Sequence, residues 1–209
     1  MLATGTASAS VLFSETFSQA QTNDTSASYG IGPIANTGFF VSSGTIDIGG
    51  SLNTSFGSGF ACGHNLVGNC IDLIGGSLGS IKTVNSFALI AGQTYTISMG
   101  ATLIGGLVAP AADFNVKLTT ASSTLFSTNL SVPTFGGLLT TSFTPSVSQA
   151  GVFLSLTALP VDRGTRGPIL DNISVSSVTA VPEPGVFAMF AAGLGLLGLL
   201  RRRAALNVA

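Results

Sequence analysis

The chain has 209 residues, enough for one domain of ordinary size and a short tail. Only 7% of the residues are charged and the formal net charge is −1, so hydroxyl and amide groups must supply most of the polar surface. Disordered chains combine low hydrophobicity with high net charge, whereas 45% of this chain is hydrophobic, which indicates a folded domain. Residues 10–180 carry four basic and seven acidic side chains without a basic patch, which argues against nucleic acid as a partner.

The first ten residues resemble the end of a secretory signal. Ala7-Ser8-Ala9 is an A-x-A pattern of the kind that precedes signal cleavage, and it lies just before the first apolar run at Val11. The positive n-region and most of the apolar h-region of such a signal are missing, which a late start codon or a truncation would explain. An ordinary N-terminus rich in small residues is the alternative. We expect residues 1–10 to be the remnant of a signal peptide.

Residues 11–179 predict many short strands, separated by turns rich in Gly, Pro, Asn and Ser. The clearest predicted strands are Val11–Phe17, Thr45–Ile48, Cys70–Ile74, Val84–Ile90, Thr94–Met99, Phe114–Leu118, Val152–Leu156 and Ile169–Val175. Ala91-Gly92-Gln93 is the predicted turn between the fourth and the fifth of these. About nine strands without a soluble helix favour an all-β fold, an antiparallel β-sandwich.

The alternation of apolar residues predicts which side chains face the core. In the last strand it places four residues on one face, namely Ile169, Asp171, Ile173 and Val175. Leu170, Asn172 and Ser174 are predicted to lie on the opposite face. Tyr95 alternates with polar neighbours and is predicted to lie in the core. Phe39 and Phe40 could be exposed, but the core is the better prediction for both.

The two cysteines, Cys62 and Cys70, flank a loop-like segment that contains the single histidine, His64. In an exported protein, a local disulfide is the simplest interpretation. Two free thiols or half of a metal site are the alternatives, although one His and two Cys are too few for a structural zinc site without carboxylates. A Ser-His-Asp triad would need His64, but a histidine in a loop is more often simply solvated. No residue is therefore predicted to be catalytic.

The C-terminal segment Gly185–Leu200 contains no polar residue and is followed at once by Arg201, Arg202 and Arg203. A helix of this length spans roughly 24 Å, short of the ~30 Å hydrocarbon core but sufficient if its flanks snorkel. We expect a single transmembrane helix at 185–200 with a basic stop-transfer signal at 201–203. A buried helical hairpin is the alternative. Gly193–Gly198 matches G-x-G-x-x-G but lacks the strand and the βαβ unit of a dinucleotide site.

Val181, Pro182, Glu183 and Pro184 precede this helix. With the helix and the three arginines, this order resembles the PEP-CTERM sorting signal of Gram-negative bacteria. The resemblance implies export, transient insertion into the inner membrane, and recognition of Pro182, Glu183 and Pro184 by an exosortase. Cleavage and transfer to the cell surface or extracellular matrix would follow. Residues 180–209 are thus predicted to be a sorting tail, and residues 11–179 the β-sandwich domain.

Two stretches, Phe87–Ser98 and Gly167–Val175, resemble strands of galactose-binding-like jelly rolls of the carbohydrate-binding-module type. Such jelly rolls often hold a structural calcium between acids of the first and last strands, which implies Glu15 and Asp171 as ligands. Solvated or turn-capping acids are the alternative. The usual aromatic sugar platform is not evident, because the chain has no Trp and only two Tyr.

The main functional expectation is a non-enzymatic exported protein of the cell surface or extracellular matrix. Its role would be structural or adhesive and linked to exopolysaccharide or biofilm. A carbohydrate-binding module of the galactose-binding-like type is the alternative, and a glycan-acting hydrolase is the third hypothesis. Exosortase, the membrane and extracellular polysaccharide are the expected partners, and a structural calcium is the one cofactor considered.

Overall fold

The computed structural model describes residues 8–20, 27–50, 69–103, 112–133, 136–160, 167–179 and the single residue 194. The chain divides into two compact units, Ser10–Ser177 and a second formed by Met1–Ala9 with Val178–Ala209. Most of the predicted leader and of the sorting tail lies outside the described residues, so those predictions stay predictions. Within the described residues, no helix has the length and hydropathy needed to cross a membrane.

The described residues form fourteen strands, joined by turns and loops. In chain order they are β1 Ser8–Glu15, β2 Ala27–Tyr29, β3 Gly32–Pro33, β4 Phe39–Ser43, β5 Ile46–Gly50, β6 Asn69–Asp72, β7 Ser80–Thr83, β8 Phe87–Leu89, β9 Tyr95–Leu103, β10 Asp113–Thr119, β11 Thr124–Ser131, β12 Gly137–Phe143, β13 Gln149–Ala158 and β14 Pro168–Thr179.

The strands pair into two seven-stranded antiparallel sheets. The first sheet has the order β12-β9-β14-β6-β5-β2, with β1 paired to β14. The second sheet has the order β11-β10-β13-β7-β4-β3, with β8 paired to β13. The predicted all-β antiparallel sandwich is confirmed.

The core contains apolar side chains from both sheets, because every second residue of a strand points inward. Fully buried examples are Ile97 and Met99 of the first sheet and Leu154 and Leu156 of the second. Burial of each such side chain stabilises the fold by about 1.5–3 kcal/mol.

Tyr95 lies in this core, 1% exposed, as predicted. Its hydroxyl accepts a hydrogen bond from the Ile90 N–H at 2.7 Å and donates to Gln93 Oε1 at 3.1 Å. The phenol therefore keeps its ring in the core while its polar end fixes the turn before β9. Gly92 in that turn has φ +75°, a left-handed conformation that glycine adopts without strain, in agreement with the predicted turn.

The strand predicted at Val84–Ile90 is wrong in its extent. β7 ends at Thr83, Val84 is 48% exposed, and β8 begins only at Phe87. The Val84 N–H bonds to the Gly38 carbonyl at 2.8 Å, outside the ladder between β7 and β13. Within the predicted range only Phe87–Leu89 forms a strand, β8, which pairs with β13.

The predicted facing of the last strand is also wrong, because β14 contains an irregularity. Its register with β9 shifts between Asp171 and Ser174, and Asn172 has φ +50°. Leu170 and Ile173 both join the core, although they are three residues apart. An inserted residue reverses the alternation of a strand, which a uniform two-residue period cannot show.

Candidate functional site

The outer surface of the second sheet carries polar side chains on several neighbouring strands. In β13, Val152, Leu154 and Leu156 are buried in the core, so Ser155 and its alternate neighbours point outward. The residues that pair with Ser155 in β7 and β10 face the same way, because paired residues of antiparallel strands share a face.

We call this surface the polar face, and two cross-strand rows define it. The first row crosses the sheet from β4 to β11 through Phe40, Lys82, Ser155, Lys117 and Ser127. The second row runs beside it from β7 to β11 through Ser80, Thr157, Asn115 and Asn129, with Ser42 of β4 next to Ser80. The prediction that Phe40 lies in the core is wrong, since only Phe39 is fully buried and Phe40 is half-buried on the polar face.

The second row carries two groups of side-chain hydrogen bonds, which together we call the ladder. Ser80 Oγ lies 2.8 Å from Thr157 Oγ1, and Ser42 Oγ donates to Ser80 Oγ at 3.1 Å. Asn115 Nδ2 donates to Asn129 Oδ1 at 2.6 Å and to Ser127 Oγ at 3.1 Å. These bonds hold amides and hydroxyls in fixed orientations, and each hydroxyl can accept more than one hydrogen bond. Ser80 and Asn115 are buried, 7% and 9% exposed, whereas their partners Ser42, Ser127 and Asn129 are exposed. The buried residues therefore preorganise exposed polar groups that a ligand can contact.

The first row combines positive charge with aromatic rings. Lys82 Nζ lies 4.2 Å from the centroid of the Phe153 ring, a cation–π contact from β7 to β13. Lys82 and Lys117 are the two lysines of the chain. Within the described part of the chain, neither lysine forms an ion pair.

The structure brings the predicted calcium ligands Glu15 and Asp171 near each other. Glu15 accepts hydrogen bonds from the Phe17 N–H at 2.7 Å and the Gly38 N–H at 2.6 Å. Asp171 is fully buried, and its Oδ1 has no hydrogen-bond partner in the described part of the chain. Burial raises the pKa of Asp171 to about 6, the Asn172 N–H opposes this rise, and the Glu15 charge adds to it.

A buried carboxylate oxygen without a partner fits a hard cation, which coordinates oxygen ligands. Among the described residues, however, no group of three His, Cys, Asp or Glu side chains could hold a metal. Calcium at Glu15 and Asp171 would therefore need backbone carbonyls or water for most of its six to eight ligands. Calcium binding stays a prediction.

A second pair of acids, Asp47 and Asp72, was not singled out from the sequence. The two residues face each other across β5 and β6. Burial raises the pKa of Asp72 to about 8, the N–H groups of Ile74 and Gly167 counteract it, and the Asp47 charge contributes to the rise. The alternation of Ile46-Asp47-Ile48 already indicated an outward carboxylate, but the burial of Asp72 depends on the tertiary structure.

The other predicted site residues fall mostly outside the described part of the chain. Cys70 lies fully buried in β6, whereas Cys62 and His64 lie in a segment that is not described, so the disulfide stays a prediction. The sorting residues Val181, Pro182, Glu183 and Pro184 and the stop-transfer residues Arg201, Arg202 and Arg203 are likewise not described.

Residues 180–204 match the PEP-CTERM protein-sorting motif. The predicted resemblance of the tail is therefore confirmed, and the motif indicates export with membrane anchoring before cleavage in Gram-negative bacteria. No curated protein is significantly similar in sequence to this chain.

Several solved structures are similar to this chain at low identity. The arabinose-bound α-L-arabinofuranosidase MgGH51 matches with 12% identity and TM-score 0.49 over 67% of this chain and 23% of that one. The N-terminal tandem CBM22 domain of Xyn10C from Paenibacillus barcinonensis matches with 15% identity and TM-score 0.47 over 88% and 49%. TmCBM61, in complex with β-1,4-galactotriose, matches with 8% identity and TM-score 0.42 over 77% and 93%. This chain thus spans about a quarter of the first and half of the second structure.

Proposed function

We propose that this protein is exported, sorted to the cell surface or matrix through its C-terminal tail, and binds extracellular polysaccharide through the polar face. The sorting motif at residues 180–204 supports the route. The exosortase is the proposed processing enzyme, and the disulfide between Cys62 and Cys70 is proposed to form after export. The observation that carries the binding proposal is the hydrogen-bonded ladder of amides and hydroxyls across the second sheet.

A polysaccharide suits this surface because its hydroxyl groups donate and accept hydrogen bonds in the same way as the ladder does. Asn115 and Thr157 lie on central strands of the sheet, so their positions are fixed by backbone pairing on both sides. Phe40 adds a half-buried ring at the end of the first row, where the apolar face of a sugar can lie against it. Several weak polar contacts along one chain would together give adhesion.

Binding is favoured over hydrolysis by the placement of the acids. Glycoside hydrolysis normally needs two carboxyl groups on either side of the scissile bond. Among the described strands of the second sheet, Asp113 is the one acid. The polar face therefore supports an adhesive or structural role, and its described part offers no carboxylate pair for a hydrolase.

The test is affinity electrophoresis of the full-length chain, in mild detergent, through gels that contain individual envelope polysaccharides. We expect retardation by at least one polysaccharide. Asn115→Ala removes the buried amide that orients Ser127 and Asn129, so it should reduce the affinity about tenfold, which corresponds to roughly 1.4 kcal/mol. Thr140→Ala on β12 of the first sheet is the matched control, since it also shortens an outward polar side chain. Equal retardation of the two variants, at unchanged thermal midpoints, would move the binding site away from the polar face.

A further inference from the structure

We infer that the polar face selects acidic polysaccharides, whose sugar carboxylates are bound by Lys82 and Lys117. This inference rests on the proposed function, since it names the class of polysaccharide that the same surface binds. It follows from the position of the two lysines, from the distribution of acids, and from the contact between Lys82 and Phe153.

The two lysines lie in one row and on one face. Lys82 in β7 and Lys117 in β10 both pair with Ser155 of β13, which lies between them. Neighbouring strands are about 4.8 Å apart, so the backbones of the two lysines are roughly 10 Å apart across the sheet. Two lysines with backbones at that separation can contact two anionic groups of the same extended chain.

The charge of the face differs in sign from that of the domain around it. Residues 10–180 carry seven acids and four basic residues, yet both lysines of the chain lie in this row. Of the described acids, only Asp113 belongs to the second sheet. It lies four residues from Lys117 along β10, roughly 13 Å away at the rise of a strand, and Ser131 Oγ donates a hydrogen bond to its carboxylate. Within the described residues the lysines thus have no counter-ion, and an anionic ligand would supply one.

The contact between Lys82 and Phe153 favours recognition by charge over recognition by stacking. The ammonium lies over the ring at 4.2 Å, so a sugar would have to displace it before stacking on that face of Phe153. The same contact holds the ammonium close to the sheet, where Lys82 is half-buried and attraction to an anion is stronger than in bulk water. Because an ammonium is a point charge with three donors, it can bind a carboxylate while Ser155 and Ser127 bind neighbouring hydroxyls.

The experiment measures affinity of the full-length chain for three polysaccharides: a polyuronate, a sulfated galactan and a neutral glucan. We expect the polyuronate to bind most tightly and its affinity to fall with added salt, because exposed charge pairs are screened. Lys82→Gln/Lys117→Gln should lower affinity for the polyuronate at least tenfold. Lys82→Arg/Lys117→Arg, which keeps both charges, should retain binding within about threefold, and Thr140→Ala is the neutral control.

The outcomes separate this inference from the proposed function. Binding of the neutral glucan that equals polyuronate binding and survives Lys82→Gln/Lys117→Gln would overturn the inference and leave polysaccharide binding intact. Tighter binding of the sulfated galactan would overturn the assignment of carboxylates as the bound groups. Failure to bind any of the three, with an unchanged thermal midpoint, would contradict both.

Discussion

At the scale of single residues, Asp72 has the most perturbed environment among the described carboxyl groups. It is 1% exposed and faces Asp47 on the neighbouring strand, where Ser28 Oγ donates a hydrogen bond to Asp47. Asp72 Oδ1 accepts a hydrogen bond from the Ile74 N–H at 2.8 Å. Burial, opposed by these backbone hydrogen bonds and reinforced by the Asp47 charge, raises its pKa from 3.8 to about 8.

This raised pKa predicts that stability falls as the pH rises through the neutral range. The unfolded chain releases the Asp72 proton near pH 4, whereas the folded chain keeps it until about pH 8, so folding becomes less favourable between those values. Asp72→Asn should flatten the decline between pH 6 and 8, which amounts to on the order of 2 kcal/mol. It should also raise the thermal midpoint at pH 8 by about 2–4 °C per kcal/mol. Thermal unfolding at several pH values measures both effects.

The window above pH 6 is chosen because the Asp171 pKa, raised to about 6, affects stability mainly below it. Asp113→Asn on the second sheet is the control and should keep the wild-type slope. If Asp72→Asn also keeps that slope, the raised Asp72 pKa is contradicted.

At the scale of elements, some strands could be predicted from the sequence more accurately than others. β13 was predicted correctly at its centre, since Val152, Leu154 and Leu156 alternate without interruption and are all buried. β14 was predicted as a strand, but it extends beyond the predicted range to Thr179 and its facing differs. Its irregularity depends on pairing with β9 and on the left-handed Asn172. A single sequence rarely shows which polar residue adopts a positive φ.

The sorting tail is a linear signal, and its function should depend on local residues. Prolines deny a segment helical hydrogen bonds and favour an extended backbone. We therefore expect Pro182 and Pro184 to leave the backbone of the motif accessible to a membrane protease. Pro182→Ala/Pro184→Ala should therefore abolish processing in a host that carries an exosortase, and the uncleaved chain should accumulate in the membrane fraction. Immunoblots of cell fractions measure both its size and its location.

Pro160→Ala, at an exposed position of the sandwich domain, is the control and should be processed normally. Wild-type cleavage of the double variant would show that Pro182 and Pro184 are not the recognition residues.

At the scale of the whole sandwich, β1 connects the two sheets. It pairs with β14 of the first sheet, and its Phe13 contacts Phe39 of the second sheet with the ring centroids 5.1 Å apart. Glu15 of β1 also accepts a hydrogen bond from the N–H of Gly38, the residue that precedes β4. A cation bound between Glu15 and Asp171 would therefore stabilise the packing of one sheet on the other.

We propose that calcium binds there, and a chelator provides the test. EDTA should lower the thermal midpoint of the purified chain by several degrees, because a ligand that binds only the folded state stabilises it. Added calcium should restore the midpoint, and Glu15→Gln should lose most of the response while Asp113→Asn keeps it. A midpoint that is unchanged in EDTA would contradict calcium binding.

Only a small part of the candidate site could have been found from the sequence. The alternation of Phe114, Val116 and Leu118 with Asn115 and Lys117 already placed two of its residues on an outward face. The sequence could not show that Lys82 lies in the same row as Lys117. Both lysines pair with Ser155, and this register cannot be derived from their separation along the chain.

The sequence by itself determined the fold class and the sorting tail. Both depend on local properties, namely a two-residue apolar period and an ordered motif with its apolar segment and arginines. Only the tertiary structure decided which strands are neighbours, where Asn172 interrupts β14, and which acids are buried. Those features arise from pairing between residues that are distant in the chain. The burial of such residues depends on long-range contacts, which a local sequence pattern does not contain.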